Sequence, residues 1–450
     1  MEIFLINYDN GSRWPVLPQN LFHLYSCIED IGGHDISILD FNFSRIPPYE
    51  VLHQEEPGVV ALGFISGYWP HQEALKIAEV IKNHPNRDSI HFVIGGHGPS
   101  ADPLYYLEKL GADAVFTGSA DNSFPLWLKN GMKPGIYESL GYNMDVSQYY
   151  GGFVGFDVYK RIRFPNTKEN EFAIQILSGR GCPYNCAFCF RMGCDFLRYD
   201  VANVIKDIKR YAIEDGIRHF QFSDELLMIS PSITKEWCRA LQDLQEEIGI
   251  DLFFDCNGRL NVAAGDHDVL RMMKATGFRY INYGCESMSQ EALNNINKKQ
   301  TVEQIRDGVE ATIKNGMTPG LNFMWGNPGD DFGSLMDAQK FIVGHSDGTE
   351  LRTIRPVTPY PGTELFNMLV AEGRCTGIDD FYDHHVNSDL FSYHFMDGIT
   401  NEEANRMLCG ANKYIYDNYI DNKQSRQYGE MLKFYSGEVD PLTFRGFREV

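Results

Sequence analysis

The chain has no apolar run of about 18 residues, no internal repeat, no low-complexity tract and no basic segment ahead of its first apolar stretch. Those absences predict no membrane-spanning helix, no solenoid and no secretory signal. Basic residues are also scarce. Lys and Arg number 40 against 61 Asp and Glu, a net charge of −21. Such a balance gives no footprint for nucleic acid or an anionic membrane. Ten cysteines, three of them in one ligand-like run, do not read as a disulfide framework and imply a reducing compartment. The expectation is a soluble, cytoplasmic protein, monomeric by default. At 450 residues, with 43% hydrophobic and 22% charged residues, it has enough chain for two or three domains.

The most informative residues are Cys182, Cys186 and Cys189, a CxxxCxxC run inside Gly181 to Phe190. Soft thiolates on one tight loop suit the irons of a [4Fe–4S] cluster. Such clusters usually take four cysteines. Three leave one iron open to bind and reduce a further molecule. Structural zinc is the competing reading, but zinc wants four ligands, commonly in paired CxxC units. Cys194 could supply a fourth ligand or be a packed thiol.

Ahead of the cysteines, strand and helix signals alternate. Strands are expected at Ile3 to Ile6, Ile36 to Leu39, Val59 to Ile65, Phe92 to Ile94 and Ala114 to Thr117. A helix opening at Pro18 carries the apolar stripe Leu21, Leu24, Tyr25, Ile28 and Ile31, and Gly32-Gly33 ends it. Further helices read at Gln72 to Ile81 and Pro103 to Leu110. This rhythm predicts a doubly wound parallel sheet with ligands at the carboxyl ends of its strands. The loops there hold Ser66-Gly67-Tyr68-Trp69, Gly95-Gly96-His97-Gly98 and Gly118-Ser119. Glycines in such loops let the backbone approach a bulky ligand, and they are also ordinary turn residues.

Residues 136–170 are rich in aromatics and glycine without periodicity, and read as an ordered connector. From Phe172 the alternation resumes, with six strands: Phe172 to Leu177, His219 to Ser223, Leu252 to Asp255, Tyr280 to Tyr283, Leu321 to Trp325 and Arg352 to Arg355. Asp200 is a plausible N-cap for a helix over Val201 to Ala212. Arg259 and Arg355, at or just past strand ends, could clamp an anion or form rim ion pairs. Asn401 to Asn418 reads as helical. His384, His385 and His394 lack a ligand-like spacing and read as ordinary histidines.

The cysteine run, with an aromatic residue before its third cysteine, resembles the radical S-adenosylmethionine (SAM) superfamily. There the open iron chelates the amino and carboxylate groups of SAM. Residues Ile38 to Asn42, Gly63 to Ser66 and Ile94 to Ser100 resemble the cobalamin-binding domain that precedes some radical SAM domains. The loop Asn10 to Trp14 departs from the classical cobalamin proteins, since it lacks the DxHxxG element that supplies a lower-face histidine. The resemblance therefore implies cobalamin with Tyr68 or Trp69 over the cobalt, His71 being a weaker candidate. It implies cofactor contacts from Ser66, Gly95, Gly96, His97 and Gly118. It also implies SAM contacts from Asp224 and Glu225 in Phe222-Ser223-Asp224-Glu225, and from Glu286 in Gly284-Cys285-Glu286-Ser287. Tyr360-Pro361-Gly362-Thr363 matches the same cobalamin-dependent subfamily.

The implied fold is α/β. It has an N-terminal doubly wound, Rossmann-like cobalamin-binding domain over residues 1–135, a connector, a partial (β/α)6 radical SAM barrel over 171–372, and a mostly helical segment over 373–450 near the substrate pocket. The implied chemistry is cleavage of SAM to a 5′-deoxyadenosyl radical, hydrogen abstraction from an unactivated carbon, and methylation by methylcobalamin. Cys182, Cys186 and Cys189 would hold the cluster. Flavodoxin or ferredoxin would supply electrons, and the substrate would be a small molecule with a mild preference for an anionic one. Alternatives are a rearrangement, ring formation or oxidation with the same cofactors, a cobalamin or redox sensor without turnover, and a radical SAM enzyme whose first domain binds nothing.

Overall fold

The computed structural model describes residues 1–8, 17–41, 48–52, 57–153, 155–164, 166–168, 171–190, 196–346, 350–436 and 438. Two parallel sheets organise it. The first has the order β2-β1-β3-β4-β5-β6, from β1 (Glu2–Asn7), β2 (Asp35–Asp40), β3 (Val59–Gly63), β4 (His91–Gly95), β5 (Ala114–Phe116) and β6 (Gly135–Tyr137). Strands β1, β3 and β4 are short apolar runs buried on both faces, as the helices on either side of a parallel sheet require. The winding direction reverses between β1 and β3. A crevice opens there at the carboxyl ends, as it does in other doubly wound sheets.

Sequence reading missed β6. It has three residues, none fully buried, so no apolar run marks it. It pairs with β5 from Ala114 to Phe116, which carries the first sheet into the stretch read as connector.

The second sheet has the order β14-β13-β12-β11-β10-β7, from β7 (Phe172–Ile176), β10 (Ile217–Phe222), β11 (Phe253–Gly258), β12 (Phe278–Glu286), β13 (Thr318–Trp325) and β14 (Ile354–Pro356). All six strands are parallel, and β14 and β7 stay unpaired with each other. This is the curled, partly open barrel expected of six βα units. Its outer face buries Phe220, Phe222, Phe254, Ile281, Tyr283, Phe323 and Trp325 against the surrounding helices. The alternate positions turn the other way and carry amides. Asn257 accepts from Asn282 at 2.9 Å, Asn282 from Asn322 at 2.8 Å, and Asn322 from Arg352 at 3.1 Å. This linked belt of amides ends on Arg352, whose Nε has no partner among the described residues.

The helix Val201–Glu214 is capped by Asp200 as expected, its side chain accepting from Asn203 N. The last helix runs Asn401–Tyr435, well beyond the expected end. Among the residues whose burial is described, Ala404, Leu408, Ala411 and Ile415 are its buried apolar positions. Among the described residues no helix is long and apolar enough to cross a membrane.

Candidate active site

The cysteine loop follows β7 and is fixed from several sides. A two-residue hairpin brackets it, β8 (Gly179–Arg180) pairing antiparallel with β9 (Leu197–Arg198). Asp224, fully buried at the end of β10, accepts from Ser178 N at 2.8 Å and Ser178 Oγ at 2.9 Å, and also from Gly179 N. Glu225 accepts from Gly181 N at 3.1 Å. Downstream, Ala187 N donates to Ile296 O at 2.9 Å, and Asn297 Nδ2 donates to Asn185 O at 2.6 Å. Leu365 N donates to Ala187 O at 3.1 Å. Asp224 thus spends both its oxygens, and exposed Glu225 one of its two, on the backbone that presents the cysteines.

The three thiols act on one another. Burial, then the charges of Cys186 and Cys182, push the Cys189 thiol up to about 11. Burial also raises Cys186, with Lys298 and Arg259 working in the opposite direction. Three thiols on one backbone-fixed loop, which repel as thiolates beside fixed cations, fit a cluster whose separate irons take one sulfur each and which needs all three deprotonated. Cys194 lies outside the described residues, as does the loop Asn10 to Trp14.

Arg259 takes neither role expected of it. Its guanidinium donates to Lys298 O at 2.5 Å, Lys299 O at 3.2 Å and Asn261 Oδ1 at 3.1 Å, and lies 3.6 Å from the Tyr184 ring centre. It is a brace under the cysteine loop. Arg355 does form a rim ion pair, with Asp389, both more than half exposed.

Asp224 makes a test of the loop's electrostatics. Burial pushes its carboxyl up from 3.8 to about 7, against the pull of its donors. A raised folded value means the folded state keeps a proton that the unfolded state has lost. The resulting stabilisation is full below 3.8 and lost as pH rises through about 7. Asp224→Asn should remove this slope. Relative to the variant, the wild type should lose on the order of 4 kcal/mol across that window, read from urea midpoints at each pH. A constant difference between the two proteins would contradict it.

The first sheet supplies the second half of the site. A cavity of about 360 Å³ opens at the carboxyl ends of β1, β3, β4 and β5. Gly95, Gly96, His97 and Gly118 line it, with Asn20, Asp121, Tyr142 and Arg180. Ser66, Tyr68 and Trp69 are not on its wall. They follow Ile65, which is. Tyr68 starts the helix Tyr68–Lys82, and Trp69 is 46% exposed. His71 sits in the first turn of that helix, as expected. It is buried and stacked on Tyr382 at 4.1 Å, and burial pushes its pKa down to about 4. Glycine backbones and a mainly apolar wall let a bulky organic cofactor lie against the open carboxyl edge of the sheet.

The two halves touch. The Phe190 ring, next to Cys189, lies 5.5 Å from the His97 ring. A Cβ on Gly362 would strike both Phe190 and Ala101, so glycine is needed where the second half-barrel meets the first sheet. Arg180, two residues before Cys182, reaches Asp121 Oδ2 at 3.4 Å, and the same oxygen is 2.8 Å from His23 Nε2. Sequence reading missed this latch, because its ends lie 59 residues apart. It also missed Lys298, whose Nζ lies 2.6 Å from Glu286 Oε1. His23, Cys27 and Asp121 are the described residues grouped closely enough to hold a metal ion, but the Arg180 guanidinium occupies their shared carboxylate. His384 and His394 make local contacts, to Asp380 and Met396 N, and His385 is buried against Phe381.

The Radical SAM superfamily model matches residues 176–342. An uncharacterized methyltransferase of Pyrococcus horikoshii is 25% identical over 79% of this chain and 78% of its own length. The anaerobic magnesium-protoporphyrin IX monomethyl ester cyclase of Rubrivivax gelatinosus is 23% identical over 61% of this chain and 47% of its own length. Among solved structures, the radical SAM methyltransferase TsrM of Kitasatospora setae superposes with a TM-score of 0.64 at 16% identity, covering 82% of this chain and 76% of TsrM. The cobalamin-dependent radical SAM enzyme OxsB superposes with a TM-score of 0.61 at 15% identity, covering 85% of this chain and 56% of OxsB.

Proposed function

We infer that this radical SAM protein is a cobalamin-dependent enzyme that methylates an unactivated carbon of a small-molecule substrate. The observation that carries the reading is the apposition of the two sites: the cysteine loop meets the first-sheet cavity through Phe190 and His97, and Arg180 joins both. Support comes from the superfamily match, the fold shared with TsrM and OxsB, and the methyltransferase relative.

Cys182, Cys186 and Cys189 would hold a [4Fe–4S] cluster, and the wall at Gly95, Gly96 and Gly118 would hold cobalamin. Together with SAM, these groups supply a carbon-centred radical and a transferable methyl group. The rest is work for the chain. Asp224 and Glu225 fix the backbone on which the cysteines stand. The Arg180–Asp121 pair holds the loop in register with the first sheet. Phe190 and Gly362 close the seam between the sheets and limit water at the reacting centre. A low-potential one-electron donor such as flavodoxin or ferredoxin completes the system. Neither arginine supports a preference for an anionic substrate, since Arg259 is committed to the loop and Arg355 pairs with Asp389.

The cyclase relative supports a second reading, in which the same cofactors act without methyl transfer. Product mass separates the two. With labelled SAM methyl and candidate substrates, a gain of one methylene carrying the label supports methylation. Substrate-dependent 5′-deoxyadenosine without that gain supports the second reading.

A further inference from the structure

The end of β12 is built in a costly way. Glu286 adopts a left-handed backbone, φ 67°, which is unfavourable for a residue with a side chain. Its carboxylate and Lys298 form an ion pair in which both residues are less than a tenth exposed. Buried pairs of this kind are weak sources of stability. Gly284 leaves room for them. A Cβ there would fall 2.1 Å from Glu286 Oε1 and 2.7 Å from Lys298 Nζ and displace the ends of both side chains. A left-handed backbone, a buried ion pair and the space over a glycine converge on placing one ammonium group.

That ammonium stands against the cysteine loop. The turn that carries it is hydrogen-bonded to the loop through Ile296 O and Asn297 Nδ2. Its Nζ lies 5.7 Å from the ring centre of Phe188, the residue before Cys189.

We propose that Lys298, positioned by Glu286 over Gly284, sets the electron affinity of the iron–sulfur cluster by favouring its reduced form. The proposal rests on the cluster assignment made above. Reduction adds one electron from the external one-electron donor and one negative charge to the cluster, with no proton transfer. A fixed cation close by in a low-dielectric setting stabilises that charge. Glu286 is a positioning residue here, since it acts through the ammonium it holds.

The test is an anaerobic redox titration followed by electron paramagnetic resonance, with iron content measured on every sample. Lys298→Met should lower the reduced fraction about tenfold at a fixed poise, a shift of about 59 mV to more negative potential for one electron. Lys298→Arg should stay near the wild type. Lys298→Gln, whose amide can still donate to Glu286 but carries no charge, should shift the potential in the same direction as Lys298→Met, and this variant decides the matter where Lys298→Met fails to fold. A Lys298→Met protein with full iron and an unmoved potential overturns the proposal. So does a Lys298→Gln protein with full iron and an unmoved potential. Wild-type protein that binds no iron after reconstitution overturns the cluster assignment itself, a distinguishable failure.

Discussion

Cys186→Ser protein, reconstituted without oxygen, should keep its fold and lose its iron. Serine offers a harder oxygen donor in place of a soft thiolate, and two remaining sulfurs cannot hold the cluster. The loss should exceed the roughly 10–100-fold that changes to outer-shell partners alone cost in metal affinity. Formation of 5′-deoxyadenosine from SAM should fall to background in the same sample. The fold should survive because the loop is held by its backbone, through Ala187 N to Ile296 O and Leu365 N to Ala187 O, and not by its thiols. Cys186 is only half-buried, and serine nearly matches its volume. Circular dichroism and the thermal midpoint should therefore stay close to wild type while the iron-dependent absorbance disappears. Retained iron with wild-type SAM cleavage would remove the cysteine loop from the mechanism.

Gly96→Ala should damage the other half of the site. Gly96 has φ 97°, and a Cβ there would lie 2.7 Å from Phe64 O and 3.1 Å from Phe64 N. These atoms cannot move freely. Phe64 N donates to Gly95 O, and Gly98 N donates to Phe64 O, each at 3.1 Å. The methyl group must push β3 and β4 apart where both line the cavity. The strain should cost about 1–3 kcal/mol of stability. A comparable penalty on cofactor binding would weaken cobalamin retention about tenfold per 1.4 kcal/mol. Gly111→Ala is the control. It also has a left-handed backbone, φ 61°, but nothing lies within 4 Å of its Cβ. It should lose only about 1 kcal/mol and retain cobalamin normally. Equal retention by both variants would mean that the cavity wall does not contact the cofactor.

Much of this protein could be read from its sequence, because much of it is written locally. The cysteine run is a single short loop, and the twelve parallel strands of the two sheets announce themselves by short apolar runs wherever they exceed four residues. The exceptions follow from the same physics. β6 and the β8–β9 hairpin have three and two residues per strand, too few for any period. The family resemblance points to Asp224 and Glu225 as SAM contacts, but sequence does not show that loop amides occupy Asp224 and one oxygen of Glu225. Arg259 illustrates the same gap, since a strand-end arginine reads alike whether it faces a ligand or folds beneath Tyr184. Lys298 was passed over because two adjacent lysines normally mark a solvated turn. Here one of them is buried by the approach of Glu286 from β12. The Arg180–Asp121 latch joins separate domains and leaves no pattern in either.

The apposition of a cluster loop and a cobalamin cavity is the central claim, and metal content tests it most directly. Protein reconstituted without oxygen would be incubated with hydroxocobalamin, desalted, and assayed for iron and cobalt alongside its visible spectrum. The account predicts about four irons and about one cobalt per chain, with cob(II)alamin features on reduction. About four irons with no retained cobalt would contradict it, and the first sheet would then serve the barrel as a structural or substrate-binding domain.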